Sequence, residues 1–292
     1  MLSGTDHREG MGGWFSVLVC STCDLGRVEP WPEDPMAWYP DAYQQHSSQT
    51  VTGRVVEAAI RAAARSPRPS VRRPIVVVVP DADLGGPLPP GARVLDVGAG
   101  NGAAVRALRA AGIDAHGIEP EERAVAAARA AGVATVSVGT LDDNTLDGRW
   151  DVVRMNQVLE HVPEPLDALG RVRELLAPGG RAVISVPNFG SLGRRAFGAS
   201  WDGLELPRHL HHFTRASLAR ALAQAGLAAR TVRSAALFGV LPASADAATA
   251  GGRRQRGWGR SVPVRALLYP LELAVAAGGG GDGLVAVAYA RD

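Results

Sequence analysis

The chain has 292 residues, 46% of them hydrophobic, and a formal net charge of +2, so it can bury one large core with appendages and is too apolar for wholesale disorder. A balance this near neutrality makes no electrostatic case for a nucleic-acid partner. Two cysteines exclude a disulfide framework and suit a reducing cytoplasm, where this reading places the protein.

The first residues lack a basic n-region followed by an apolar core and cleavage site, so no signal peptide is expected. Residues 1–50 mix Gly, Trp, Pro and Tyr without helical periodicity. Within them VLVCSTCDLGRVEPWP carries Cys20 and Cys23 in a Cys-x-x-Cys turn, half of a zinc ribbon. Tetrahedral zinc needs four ligands, and the nearby His7 and His46 match no strong spacing, so a degenerate ribbon without metal is favoured over a working zinc site. Residues 53–65, GRVVEAAIRAAAR, put Val55, Val56, Ala59, Ile60 and Ala63 on one stripe of an amphipathic helix that packs on the main domain or covers the ligand site. A Pro- and Arg-rich connector follows, with residues 51–90 as a helix and linker. The apolar run 75–79 has no clear assignment, and the arginines between Arg61 and Arg73 read as a solvated run.

From residue 93 strands and helices alternate. Val94, Leu95 and Val97 form a buried strand, and Gly98, Gly100 and Gly102 a tight loop that leads into a helix N-terminus, where a ligand can approach bare backbone. The glycine spacing is G-x-G-x-G with Asp96 two residues before it, not the G-x-G-x-x-G of a dinucleotide fingerprint. DAHGIE, residues 114–119, is a second strand ending in Glu119, whose carboxylate can accept from two ribose hydroxyls. Further strands fall at 133–138, 150–156 and 181–188, with helices at 121–131 and 165–180 between them. That alternation means an α/β fold with a parallel sheet, helices on both faces, and ligands at the carboxyl ends of the strands.

The motif LDVGAGNG with its acidic second strand resembles the class I S-adenosylmethionine-dependent methyltransferases. The stretch VGTLDDNTLDGRWDVVRMNQVLEHVPEPLDALGRVRELLAPGGRAVISVPN is similar to the same family nearly phrase by phrase. The resemblance implies a Rossmann-like, mostly parallel seven-stranded sheet over residues 91–292, S-adenosyl-L-methionine as cofactor, and a degenerate N-terminal Cys-x-x-Cys module. It also implies that Asp96, Gly98, Gly100, Gly102 and Glu119 hold the cofactor, that Thr140 and Leu141 border its adenine, and that Asn156 and Gln157 border its methionyl end. Glu160-His161 after the fourth strand either orients a substrate hydroxyl or braces the loop.

Residues 188–213 leave the alternation as a long segment, read as an acceptor-side lid. A similar W…PRHL..F segment lies on the acceptor side in the related methyltransferases. Here Trp201 is a candidate to stack on a ring, Arg208 to hold a phosphate or carboxylate, and His209 or His212 to act as general base, with His161 a further catalytic candidate. Alternatively the histidines form a buried latch, the favoured reading for His211. Thr214 caps a helix that stops at Gly226, residues 227–232 form a sixth strand, and residues 236–282 are a variable insertion around a helix at 264–277. That insertion's longest apolar stretch, residues 266–277, is interrupted by Glu272 and too short to span a bilayer. Residues 283–292 close the sheet.

The expected activity is methyl transfer to oxygen or carbon of a small polar or sugar-containing acceptor, with no nucleic-acid or membrane partner. The alternatives are an NAD-dependent oxidoreductase, disfavoured by glycine spacing, and a non-catalytic binding protein that keeps the fold.

Overall fold

The computed structural model describes residues 2–4, 13–39, 51–89, 91–143, 146, 148–249 and 257–291; His7 and His46 lie outside them. The first segments form β1 (Leu2–Gly4), β2 (Phe15–Val19) and β3 (Gly26–Glu29), joined antiparallel. Then follow α1 (Val51–Arg65) and α2 (Pro69–Val78). The alternating region runs β4 (Arg93–Val97), α3 (Ala103–Ala110), β5 (Asp114–Glu119), α4 (Glu122–Ala130), β6 (Val136–Val138) and β7 (Trp150–Asn156). It continues with α5 (Pro165–Leu175), β8 (Leu176–Pro187), α6 (Leu192–Phe197), the short β9 (His211–His212), α7 (Arg215–Gln224) and β10 (Leu227–Ala235). The chain closes with α8 (Val240–Thr249), α9 (Val262–Ala277) and β11 (Gly283–Ala290).

The central sheet has seven strands in the order β10-β11-β8-β7-β4-β5-β6. β4 to β8 pair in parallel, and β11 runs antiparallel to both of its neighbours. This is the parallel sheet expected from the alternation, in the mostly parallel, Rossmann-like form that the resemblance implies. Because side chains alternate across a strand, Leu95, Val97, Val153 and Met155 face α5 and α7, while Val94, Val152 and Val183 face α1 and α3. Asp96 shares the second face with Arg154, its register partner on β7, and the two pair at 3.3 Å.

α1 packs its Ile60, Ala63 and Ala64 on the α3 side of the sheet, and Glu57 pairs with Arg106. The run 75–79 belongs mostly to α2; a short β-branched stretch has no periodicity that separates helix from strand, and Pro69 in the first turn starts the helix. The helix expected at 165–180 ends at Leu175, because Pro178 removes a donor and drives the residue before it out of the helical region. Thr214 caps α7 as expected, with Ser217 returning the bond in a capping box. Glu272, the one acid in apolar α9, is buried and accepts from Gly239 N and Leu241 N at the start of α8. Burial raises its pKa to about 7 against those bonds.

β9 joins the N-terminal strands. The second sheet has the order β1-β2-β3-β9, so the lid's His211 and His212 pair with Arg27 and Gly26. The N-terminal module is thereby completed by the segment that follows β8. Cys20 and Cys23 sit in the β2–β3 turn as free thiols, and among the described residues no third metal donor groups with them.

Candidate active site

At the end of β4, Gly98 N and Ala99 N both donate to the Ile118 carbonyl, at 2.9 and 3.0 Å, which folds the glycine loop over the carboxyl end of β5. Gly98 has φ +68°, and a Cβ there would lie 2.4 Å from the Val158 side chain. Only a residue without a side chain lets the loop meet the segment after β7 this closely. Gly100 N donates to Glu119 at 2.8 Å, and Glu121 N donates to its other oxygen at 3.1 Å. Two backbone bonds leave a carboxylate with two of its roughly four acceptor positions, enough for a vicinal diol.

Asp96 is buried beneath the loop. Burial lifts its pKa to about 6 although the Arg154 guanidinium pulls it down, with Glu119 pushing it further up. Arg154 also donates to the Asp81 carbonyl. Leu141 is buried on the Ile118 side, and Thr140 holds the turn through its amide to Asp143 and its hydroxyl to Asp142 N. Gln157, at φ +56°, is anchored by its amide N to the Ser185 carbonyl and by its side chain to the Ser185 hydroxyl. A bulky non-glycine residue held in that region is strained backbone of the kind that gathers at working sites. The expected cofactor residues therefore converge on one end of the sheet. An adenosine with a charged sulfonium fits this cradle: bare loop amides, an acid with spare acceptor positions, and a loop that a single Cβ would fill.

Beside the cradle lies a second cluster. Glu160 and His161 form a 3-10 turn, Leu159–His161, immediately after Val158. Leu210 N donates to the Glu160 carbonyl and Val28 N to the Leu210 carbonyl, so turn, lid and N-terminal module meet here. The His161 and His209 rings are edge to face with centroids 4.7 Å apart, and His212 lies 6.4 Å from His209. Tyr39, from the N-terminal module, hydrogen-bonds His161 Nδ1 at 2.7 Å. Burial raises the Tyr39 pKa, and Glu205, Glu160 and Glu119 push the same way, which puts the cluster within electrostatic reach of Glu119.

Electrostatics here favour neutral groups. Glu160 is fully buried, neither carboxylate oxygen has a hydrogen-bond partner, and burial with Glu205 nearby raises its pKa well above the carboxylate range. Burial lowers His209 well below the usual histidine value, opposed by Glu205, and brings His212 down to about 3. His209 Nδ1 faces the Gly203 carbonyl at 3.0 Å. A carbonyl only accepts, so this nitrogen carries the proton and Nε2 the lone pair.

Two placements differ from the sequence reading. Trp201 is buried, its indole N–H donates to Asp282 at 2.8 Å, and it packs with Phe189, Leu204 and Leu206, leaving no face open for a ring. Arg208 is buried, with Nε donating to Glu205 and Nη1 to the Trp38 carbonyl, so its guanidinium is engaged within the protein. His211 is a latch: its Nε2 meets the Pro163 carbonyl at 3.0 Å. Tyr39 and Asp282 were missed because only the tertiary fold brings them in, whereas Glu205, three residues before Arg208, had the signal of a local ion pair. Arg154 had a signal, a lone charge inside the apolar strand VVRM. A cavity of about 490 Å³ lined by Arg149, Arg173, Leu176 and Tyr289 opens at the amino ends of β7 and β8, the wrong end for a ligand of this fold.

Comparison with known proteins agrees with this geometry. A methyltransferase-domain family profile matches residues 79–232. The ubiquinone biosynthesis O-methyltransferase of Cereibacter sphaeroides is 35% identical over 144 residues, 46% of this chain and 58% of that protein. The protein of the same description from Bordetella avium is 35% identical over 151 residues, 47% of this chain and 62% of its own. The chain thus spans about three fifths of the length of these relatives. A chain of the complex between the Haloferax volcanii Trm112 methyltransferase activator and a putative methyltransferase superposes with a TM-score of 0.56 at 22% identity, covering 89% of this chain and 99% of that one.

Proposed function

We propose, from the premise that this chain belongs to the class I S-adenosylmethionine-dependent methyltransferases, that it methylates a hydroxyl oxygen of a small molecule. Bound S-adenosylmethionine supplies the methyl on a sulfonium: the acceptor oxygen forms the new C–O bond, and the pair from the broken C–S bond stays on sulfur. The protein's work is then to orient both partners and to relieve the acceptor of its proton. Alignment at about 3 Å contributes on the order of 7–11 kcal/mol. Glu119 and the Gly98–Gly102 loop hold the adenosyl group; Gln157 and the turn after β7 bound its reactive end.

The observation that carries oxygen as acceptor is the Glu160, His161 and His209 cluster beside the loop. An amine or an ionised carboxylate attacks without a base, whereas a hydroxyl must give up its proton, and this cluster sets a half-buried imidazole, His161, beside the cradle to help it leave. His161 is the member only partly buried, so it meets the acceptor first. The curated relatives are named O-methyltransferases, which supports the same reading.

Labelled methyl transfer tests it. With S-adenosylmethionine carrying a labelled methyl, the protein should label phenols or sugar hydroxyls and not matched amines. His161→Ala should lower kcat/KM by about 10²–10⁴-fold and leave S-adenosylhomocysteine binding intact. Transfer to amines alone, or full turnover in His161→Ala, contradicts the proposal.

A further inference from the structure

Glu160 poses an unsolved problem in its surroundings. A carboxyl group that is 0% exposed and has no hydrogen-bond donor on either oxygen is costly, and such groups in folded proteins await a partner. One ligand atom each from Glu160, His161 and His209 lies within 4.8 Å of the other two.

The histidine tautomers point the same way. His209 Nδ1 meets the Gly203 carbonyl at 3.0 Å, and His161 Nδ1 meets the Arg208 carbonyl at 3.0 Å. The Gly203 carbonyl can only accept, so His209 Nδ1 carries the proton, whereas the Tyr39 hydroxyl, 2.7 Å from His161 Nδ1, can donate to that nitrogen or accept from it. Imidazoles that ligate metals are oriented in this manner, by an outer carbonyl on one nitrogen while the other keeps its lone pair. Glu205 stands 3.6 Å from His209 Nε2, beyond hydrogen-bonding length, and adds negative potential while its other oxygen pairs with Arg208.

We propose that Glu160, His161 and His209 bind one divalent transition-metal ion of the zinc, manganese or cobalt class. Two imidazoles and a carboxylate select such borderline ions over magnesium or calcium, which prefer oxygen. Ligand bonds of about 2.0–2.2 Å at tetrahedral or trigonal angles put donors on one ion about 3.3–3.8 Å apart, so the three groups close on it with movements of about an ångström. Three protein ligands leave open positions, as in catalytic rather than structural metal sites. Resting on the reading that this cluster faces the acceptor, the open position takes the acceptor's hydroxyl oxygen. Coordination acidifies that O–H, its proton passes to solvent, and the oxygen keeps its pair for the methyl carbon. On this proposal the preferred acceptor carries a second oxygen beside the hydroxyl, so that both reach open positions on the ion.

The test reads metal uptake directly. Full-length protein stripped with a chelator is titrated with Co²⁺ alone and followed by visible absorption, with Zn²⁺ as competitor. A Cys20→Ser/Cys23→Ser variant removes the thiol pair as a rival site. One Co²⁺ should bind per chain in that background. Glu160→Gln, which keeps the side-chain volume, and His209→Ala should each weaken binding by more than the ~10–100-fold that loss of an outer partner costs. A retained thermal shift with S-adenosylhomocysteine certifies that each variant is folded. No Co²⁺ uptake by the cysteine-free protein, or unchanged uptake in folded Glu160→Gln, overturns the inference. Since neither result involves methyl transfer, the metal site can fail while transfer to hydroxyls persists, and the two readings are separated.

Discussion

Gly98→Val should abolish binding of S-adenosylhomocysteine while the protein stays folded. The substitution fails twice at one residue. Gly98 sits at φ +68°, a region costing an L-residue about 1–2 kcal/mol and a β-branched one more. Its new Cβ would also meet Val158 Cγ2 at 2.4 Å, so either the loop or the turn carrying Glu160 must move. Both are walls of the cofactor cradle, and displacement of either by an ångström misaligns the amides. Calorimetric titration should show at least a ~100-fold weaker Kd, about 2.7 kcal/mol. An affinity within about threefold of the wild type would mean that the loop does not hold the cofactor.

Trp201→Ala should produce the largest loss of stability of any single change in the lid. Emptying the site of a fully buried aromatic costs about 3–5 kcal/mol, and the lost indole N–H leaves the buried Asp282 short of a donor, about 1–3 kcal/mol more. Domains of this kind are stable by only about 5–15 kcal/mol, so the variant sits near unfolding. Trp201→Phe isolates the second term by keeping most of the ring volume. Urea unfolding should rank wild type above Trp201→Phe above Trp201→Ala. A Trp201→Ala protein of near-native stability with a raised acceptor KM would instead make Trp201 a substrate contact.

That second case shows where sequence reading stops. Trp201 and Arg208 were expected at the acceptor because the segment follows the fifth parallel strand, and the structure lays that segment against the turn after β7. Their side chains turn inward because Asp282 and Glu205 wait for them; Asp282 stands 81 residues from Trp201, where no local pattern reveals it, while Glu205 stands only three residues before Arg208. The cradle was legible for the opposite reason. Asp96, the glycines and Glu119 lie within one strand-loop-helix-strand unit, where spacing alone dictates what meets what. The sheet was legible from hydrophobic periodicity in residues 93–97 and 150–156, whereas α2 was not, since Ile75 to Val78 have no polar alternation to declare a period. Tyr39 was invisible because β9, two residues long, carries the N-terminal module onto the lid.

All of the mechanism depends on an adenosyl sulfonium resting against the loop after β4 with Glu119 on its ribose. The most direct test is a thermal shift of the wild-type chain with S-adenosylhomocysteine and, separately, with NAD. At 100 times its Kd a ligand specific to the native state adds about 2.7 kcal/mol. For a chain of this size that raises the melting temperature by several degrees. S-adenosylhomocysteine should produce that rise, Glu119→Ala should erase most of it, and NAD should leave the melting temperature unchanged. Stabilisation by NAD with none by S-adenosylhomocysteine would contradict the assignment at its base.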